Sequence, residues 1–265
     1  MRFGLTNRPG DVAERLCEAF SEKASMPISN LFVLSVLAGA YVGFGCYVYL
    51  VVSSDASRFI GAGLAGIVSG VVFSLALILI VVGGAELFTG NGLQVLSCLS
   101  GRVGLGAVLR NWAMIYVGNL VGALILVALV FGSGIYSSNG GLVAERAVAL
   151  ASYKVQLGFW DALLRGVLCN WLVCLAIWLA ATAEDTTGKI LACIFPVSAF
   201  VASGFEHSIA NMFFIPLGIL VGGAGSAPGL DVAGIISNLV PVTLGNIIGG
   251  GVLVAATYWY VYIRK

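Results

Sequence analysis

Two stretches set a carboxylate among glycines in otherwise apolar sequence: Gly84-x-Glu86-x(4)-Asn91 and Gly204-x-Glu206-x(4)-Asn211. Each also carries a hydroxyl, Thr89 and Ser208, one position out of register, and the second holds the single histidine of the chain, His207. A carboxylate inside apolar sequence must be turned inward and hydrogen-bonded, because an unpaired buried charge is costly. Backbone N–H groups of its own loop are the expected partners. Glu86 and Glu206 are therefore read first as ties for their loops; a bare carboxylate along a path would repel an anion. His207 offers different chemistry. A neutral imidazole donates a hydrogen bond, and a protonated one can pair with an anion or pass on a proton near neutral pH. Its place on a repeated polar interruption assigns it to a pathway. Asn170, within CNWLVCLAIW, is either an interhelical hydrogen-bonding residue or part of that pathway. Lys154, in ASYKVQLG, is either a solvated or snorkelling lysine or a functional cation.

These residues sit in a chain of 265 residues that is 60% apolar and 9% charged, with mean hydropathy +1.04. A soluble domain carries about 25% charged residues. The composition excludes a disordered chain, a disulfide-framed secreted domain and an ordinary soluble enzyme. A net charge of +1 supplies no basic field for nucleic acid. Uncharged runs bounded by charged residues place membrane spans near 29–52, 59–82, 107–131, 159–181, 190–222 (interrupted) and 239–262. No alternating segments of ~10 residues suggest a membrane β-barrel. The expected fold class is an all-α integral membrane protein with six transmembrane helices.

An even number of spans puts both termini on one side. Arg2, Arg8, Arg15, Lys23, Arg102, Arg110, Lys189, Arg264 and Lys265 share that side, against Arg58, Arg146, Lys154 and Arg165 on the other. The positive-inside rule makes the terminal side cytoplasmic. Residues 1–28 form a separate N-terminal segment. Within it Asp11-x-x-Glu14 reads as a capping box, and Val12, Leu16, Phe20 and Ala24 follow on one face of an amphipathic helix. Residues 29–265 form the membrane domain.

A second pair of motifs joins the first: Gly118-Asn119-x-x-Gly122 and Gly245-Asn246-x-x-Gly249. With three spans in each half, the halves are an inverted 3+3 repeat. From Ile190 to Ser203 is too short to cross a ~30 Å hydrocarbon core as helix. The fifth span is thus broken, and its half-helix ends present N–H groups and a positive dipole end suited to an anion. The paired glycines at 39/43, 66/70, 118/122 and 245/249 have the spacing of close helix contacts. The six cysteines are scattered without a C-x-x-C pair, and one histidine cannot build a His-rich metal site. No metal and no cofactor is expected.

GAELFTGN, GNLVGA, CNWLVCLAIW, SGFEHSIANM and VTLGNIIGGG, in that order, resemble the formate/nitrite transporter family over nearly the whole chain. The resemblance implies an aquaporin-like protomer with helices 2 and 5 interrupted, a homopentamer with one pore per protomer, and an inner-membrane location. It implies passage of small monovalent anions of weak acids, in some members with a proton. Carried over by motif, Thr89 and His207 are the central pair, with Glu206 and Asn170 as polar neighbours of the histidine. Leu77, Leu87, Phe88 and Val173 match a cytoplasmic constriction, and Phe73 and Phe200 a periplasmic one. Lys154 matches the lysine of the outer vestibule.

The resulting expectation is a channel or transporter rather than an enzyme. Lys154 draws the anion in, apolar constrictions oppose a hydrated ion, and a proton from His207, direct or relayed, lets the neutral acid cross. Ile215-Pro216 and NIIGGG resemble the formate branch; AGAYVGFG and CNWLVCLAIW look closer to the nitrite branch. Formate is the preferred substrate, with nitrite and then hydrosulfide as alternatives. Lipid and sister protomers are the expected partners. A water channel of aquaporin type would need Asn-Pro-Ala loops, which are absent here.

Overall fold

The computed structural model describes residues 8–264, so residues 1–7 of the N-terminal segment lie outside the described residues. Its regular elements are helices. α1 runs Pro9–Ala24 and α2 Ile28–Ser53; α3 Ala56–Phe73 and α4 Leu75–Gly83 form one bent rod. A 3-10 turn, Gly90–Leu93, leads into the short α5, Gln94–Leu99. α6 is Leu105–Gly132, α7 Leu142–Val155 and α8 Phe159–Thr182. α9, Thr186–Ala202, and α10, Ser208–Gly222, are the two pieces of the interrupted segment. α11, Val232–Ile247, continues as wider π-helical turns through Ile248–Ala256.

Five helical rods are long and apolar enough to cross a membrane: Ile28–Ser53, Ala56–Gly83, Leu105–Gly132, Phe159–Thr182 and Val232–Ile263. The 190–222 segment is divided between α9 and α10, each shorter than a span. The first interruption lies elsewhere than the centre of 59–82. That stretch carries one kink near its start, at Gly61 (φ 75°, ψ 158°), runs on to Gly83, and leaves the helix at Gly84, which has φ 78°. Only glycine adopts that conformation without strain. Residues 85–89 form a loop before the turn into α5.

The expected capping box is absent. Pro9, whose fixed φ suits a first helical turn, starts α1 two residues before Asp11, so Asp11 and Glu14 lie inside the helix. Glu14 pairs with Arg102 at 2.7 Å instead. The amphipathic reading of α1 holds: Val12, Leu16, Phe20 and Ala24 are buried. They pack with Leu93, Leu96, Cys174, Trp178 and neighbouring residues rather than facing solvent.

The small-residue pairs act within the protomer. At Gly39 and Gly122 the backbones of α2 and α6 approach so closely that a Cβ would collide with the carbonyls of Asn119 and Val36. Gly245 and Gly249 do the same between α11 and α8, against the carbonyls of Leu163 and Val167. Gly70 meets Ser198 of α9. The cysteines are free, and all but Cys98 are fully buried. The outer surface is largely apolar, with Val33, Leu37, Phe44, Leu109, Val117, Leu129 and Val252 among its exposed residues.

Candidate functional site

The two polar interruptions are held by matching sets of hydrogen bonds. Asn119 of α6 donates to the carbonyls of Ser35 (2.7 Å) and Glu86 (2.9 Å) and accepts from Phe88 N–H (2.9 Å). Asn246 of α11 donates to the carbonyls of Gly166 (2.8 Å) and Glu206 (3.0 Å) and accepts from Ser208 N–H (2.9 Å). Each glutamate N–H then donates to a helix of its own half: Glu86 to Leu34 O and Glu206 to Arg165 O, both 3.2 Å. One asparagine thus satisfies two backbone groups that the break sets free and ties them to a carbonyl of a neighbouring helix, α2 or α8. Unwound backbone at membrane depth is tolerated only when satisfied in this way.

The carboxylates find side chains, not loop N–H groups. Glu86 Oε1 lies 2.8 Å from Lys23 Nζ, and its Oε2 accepts from Asn91 at 2.9 Å. Glu206 accepts from Lys154 Nζ on both oxygens, at 2.9 and 3.0 Å, and from Asn211 at 2.7 Å. The reason is electrostatic: a buried carboxylate is best compensated by an opposite full charge plus hydrogen bonds to its remaining lone pairs. Lys154 is accordingly no solvated lysine; its side chain is 8% exposed, whereas that of Lys23 is 32% exposed. Lys23 was not singled out from the sequence. The available signal was positional: Lys23 and Lys154 each stand five residues before the first long helix of their half, at Ile28 and Phe159.

Thr89 and His207 meet. Thr89 Oγ1 lies 3.0 Å from His207 Nε2, and both residues are buried. His207 is also the N-cap of α10, its Nδ1 accepting the Ala210 N–H at 3.1 Å. That bond fixes the tautomer: with Nδ1 an acceptor, the neutral ring carries its proton on Nε2. Nε2–H donates to the Thr89 oxygen, and the Thr89 hydroxyl proton is left for another acceptor. Asn170 stands behind this pair, donating to the carbonyls of Thr89 (3.1 Å) and Asn246 (2.7 Å). It ties the first loop to α11 and makes no hydrogen bond to the histidine ring.

Three cavities adjoin in succession through shared wall residues, Phe73, Phe200 and His207 between the first two and Ile80 and Leu87 between the second and third. The first, about 80 Å³, is lined by Lys154, Glu206, His207, Phe73, Phe200 and neighbours including Tyr49 and Tyr153. The second, about 10 Å³, is walled by Phe73, Phe200 and His207 at one end and by Leu77, Ile80, Leu87 and Val173 at the other. It has room for about one water. The third, about 250 Å³, holds Lys23, Glu86, Asn91, Ile80 and Leu87. Phe73 and Phe200 stand edge to face, ring centres 5.9 Å apart, and Phe200 stacks on His207 at 6.1 Å. Five of the six residues assigned to the constrictions thus line the narrow cavity. Phe88 does not. Asn119 holds its N–H, and its ring packs on Trp112 (6.1 Å) and Tyr116 (5.0 Å) of α6, away from the cavities.

Fold and site together define a polytopic helical membrane protein whose two lysine-bearing cavities are separated by a short, nearly dry passage. Residues 10–260 match the family model described as Formate/nitrite transporter, and the chain belongs to that family of channels and transporters. It is 41% identical to the formate channel FocA of Escherichia coli (strain K12), over 97% of this chain and 95% of that one. It is 42% identical to a probable formate transporter of Methanothermobacter thermautotrophicus, over 97% of each. Among solved structures it resembles a pentameric formate channel with formate bound, at TM-score 0.79 and 36% identity over 89% of this chain and 98% of that chain. An FNT family ion channel superposes with TM-score 0.85 at 31% identity, over 94% and 98% of the two chains.

Proposed function

We propose that this protein is a formate channel that assembles as a homopentamer, one path per protomer, in a cytoplasmic (inner) membrane with both termini inside. The observation that carries the mechanism is His207, hydrogen-bonded to Thr89, in the wall of a passage of about 10 Å³ between cavities that each hold a lysine–glutamate pair. Lys154 spends two of its ammonium protons on Glu206. The third can meet an anion in the outer cavity, which Lys154 lines. Because Glu206 neutralises its charge, Lys154 attracts by hydrogen bonding and local field rather than as a free cation. Lys23 plays the same part at the inner mouth.

The passage then sets a desolvation barrier. Phe73, Phe200, Leu77, Leu87 and Val173 offer no hydrogen bonds, and an unpaired anion in such surroundings is penalised by several kcal/mol, order of magnitude. Protonation to the neutral acid removes most of that cost. The geometry disfavours His207 as a relay. A proton entering at Nδ1 would face the Ala210 N–H, so the ring cannot take a proton at one nitrogen and release it at the other without losing the α10 cap. The proton therefore travels with the substrate, which takes it from bulk water and enters the passage as the neutral acid. In the outer cavity Asn211 Oδ1, a buried acceptor without a donor among the described residues, can receive an acid O–H. Thr89 hands a hydroxyl hydrogen to the permeating species while His207 Nε2–H holds the threonine oxygen.

The formate preference rests on the named relatives above; nitrite and hydrosulfide remain the competitors against which it is tested. Purified protein in liposomes, given formate, nitrite and hydrosulfide singly and in competition, should pass formate with the lowest half-saturating concentration. Preferential passage of nitrite would overturn the substrate assignment, and no anion flux at all would overturn the channel reading.

A further inference from the structure

The repeat extends one residue beyond the motifs legible in the sequence. Asn111 and Asn238 each stand eight positions before the asparagine that holds the loop of their half, Asn119 and Asn246. Both are 1% exposed. Asn111 Nδ2 donates to the backbone carbonyl of Lys23 at 3.1 Å, and Asn238 Nδ2 to that of Lys154 at 2.8 Å. Those lysines lie in the last turns of α1 and α7, where each carbonyl also accepts a backbone N–H, from Met26 at 3.2 Å and from Leu157 at 3.4 Å, so the asparagine supplies its side-chain bond. We propose that Asn111 and Asn238 are positioning residues, one for each mouth, that hold the backbone of the mouth lysine and so set where its ammonium can meet the anion.

The two copies differ in a way that gives the proposal content. Around Lys154 the bonds close a ring. Its ammonium donates to Glu206, Asn211 donates to Glu206 and, at 2.7 Å, to Asn238 Oδ1, and Asn238 returns to the Lys154 carbonyl. The head and the backbone of one lysine are fixed by one connected network. Around Lys23 the ring is open. The second bond of Asn91 goes to Leu87 O at 2.9 Å rather than to Asn111. Arg110 occupies Asn111 Oδ1, at 3.2 and 3.4 Å. The fourfold difference in lysine exposure follows the same division, 8% against 32%. The side-chain amide at 238 accepts from Asn211 and donates to a carbonyl at once, with its two ends pointing to different partners.

The inference rests on the reading that the lysines draw the anion to the mouths. It is tested in liposomes of known protein orientation by the half-saturating formate concentration measured separately from each face. Asn238→Ala should raise it about three- to tenfold at the Lys154 face, as expected for one lost hydrogen bond, and leave the other face unchanged. Asn111→Ala should act on the Lys23 face alone, and less. Asn238→Asp, nearly isosteric, still accepts from Asn211 but cannot donate to Lys154 O; it should behave as the alanine variant does, and it carries the test if the alanine variant does not assemble. Equal changes at both faces, no change, or an Asn238→Asp variant indistinguishable from the parent would each overturn the proposal. Lys154→Met separates the two levels. If it leaves the half-saturating concentration at its face unaltered, the lysine reading itself fails. If it raises that value while the Asn238 variants do not, only the positioning inference fails.

Discussion

Thr89 Oγ1 and His207 Nε2 are 3.0 Å apart, which joins the interruption of one half of the chain to that of the other across 118 positions of sequence. The contact lies where the helix breaks of the two repeats converge. Each residue owes its place to its own asparagine-held loop, so the central pair is as precise as those two loops are.

Removing the threonine hydroxyl should therefore be costly out of proportion to its size. Thr89→Val leaves His207 Nε2–H buried without an acceptor and takes away the hydrogen offered to the substrate. Formate flux should fall at least about tenfold, equivalent to roughly 1.4 kcal/mol in the barrier, whereas Thr89→Ser should keep most of it. Stopped-flow uptake in liposomes measures both.

Histidine substitutions distinguish hydrogen bonding from proton relay. Asn at 207 can still cap α10 and can present an N–H toward Thr89; Phe can do neither. His207→Asn should retain proton-linked formate passage and His207→Phe should lose it, read as internal acidification of vesicles on adding formate. Passage by the Asn variant with its proton linkage lost would restore the relay.

The narrow passage makes a prediction about size and pH together. If the neutral acid is what crosses, flux at fixed total formate should rise about tenfold for each unit fall in pH above the pKa of the acid itself. Phe73→Ala and Phe200→Ala should open the waist, admit hydrated anions and flatten that slope. Planar-bilayer currents carried by chloride, small for the parent protein and larger for these variants, provide the check.

The buried ion pair should show strong coupling. Glu206→Gln strands the Lys154 ammonium and should destabilise the protein by about 3–5 kcal/mol. Adding Lys154→Met should recover much of that loss, because the double variant buries no unpaired charge. Thermal unfolding in detergent across the four proteins gives the interaction energy directly. Recovery of stability without recovery of the half-saturating concentration at the Lys154 face separates the structural task of the pair from its functional one.

Asn119 and Asn246 can be compared as equivalent supports. Replacing either by Ala frees one loop carbonyl and one loop N–H and removes a bond to a helix carbonyl, a loss of roughly 3 kcal/mol by the cost of unsatisfied buried groups. The same thermal assay should place the two variants within about 1 kcal/mol of each other, because the hydrogen-bond sets match one for one.

The amino-acid order alone carried the membrane class and most span limits, and it marked the two polar stretches that the fold brings into contact at Thr89 and His207, because each depends on local properties. Runs of apolar residues must be helical in a bilayer, and glycine-flanked polar residues within them mark where that helix stops. It also located the glycines at which helices meet, though not that α2 meets α6 and α11 meets α8. Tertiary structure decided what each buried polar atom faces. It gave Glu86 and Glu206 lysine partners from α1 and α7, turned Phe88 onto α6 and away from the passage, and made His207 a helix cap with a fixed tautomer. It also brought Asn111 and Asn238 beneath the mouth lysines. Hydrogen bonds and ion pairs are set by distances between residues up to 166 positions apart, and only the packed backbone supplies those distances.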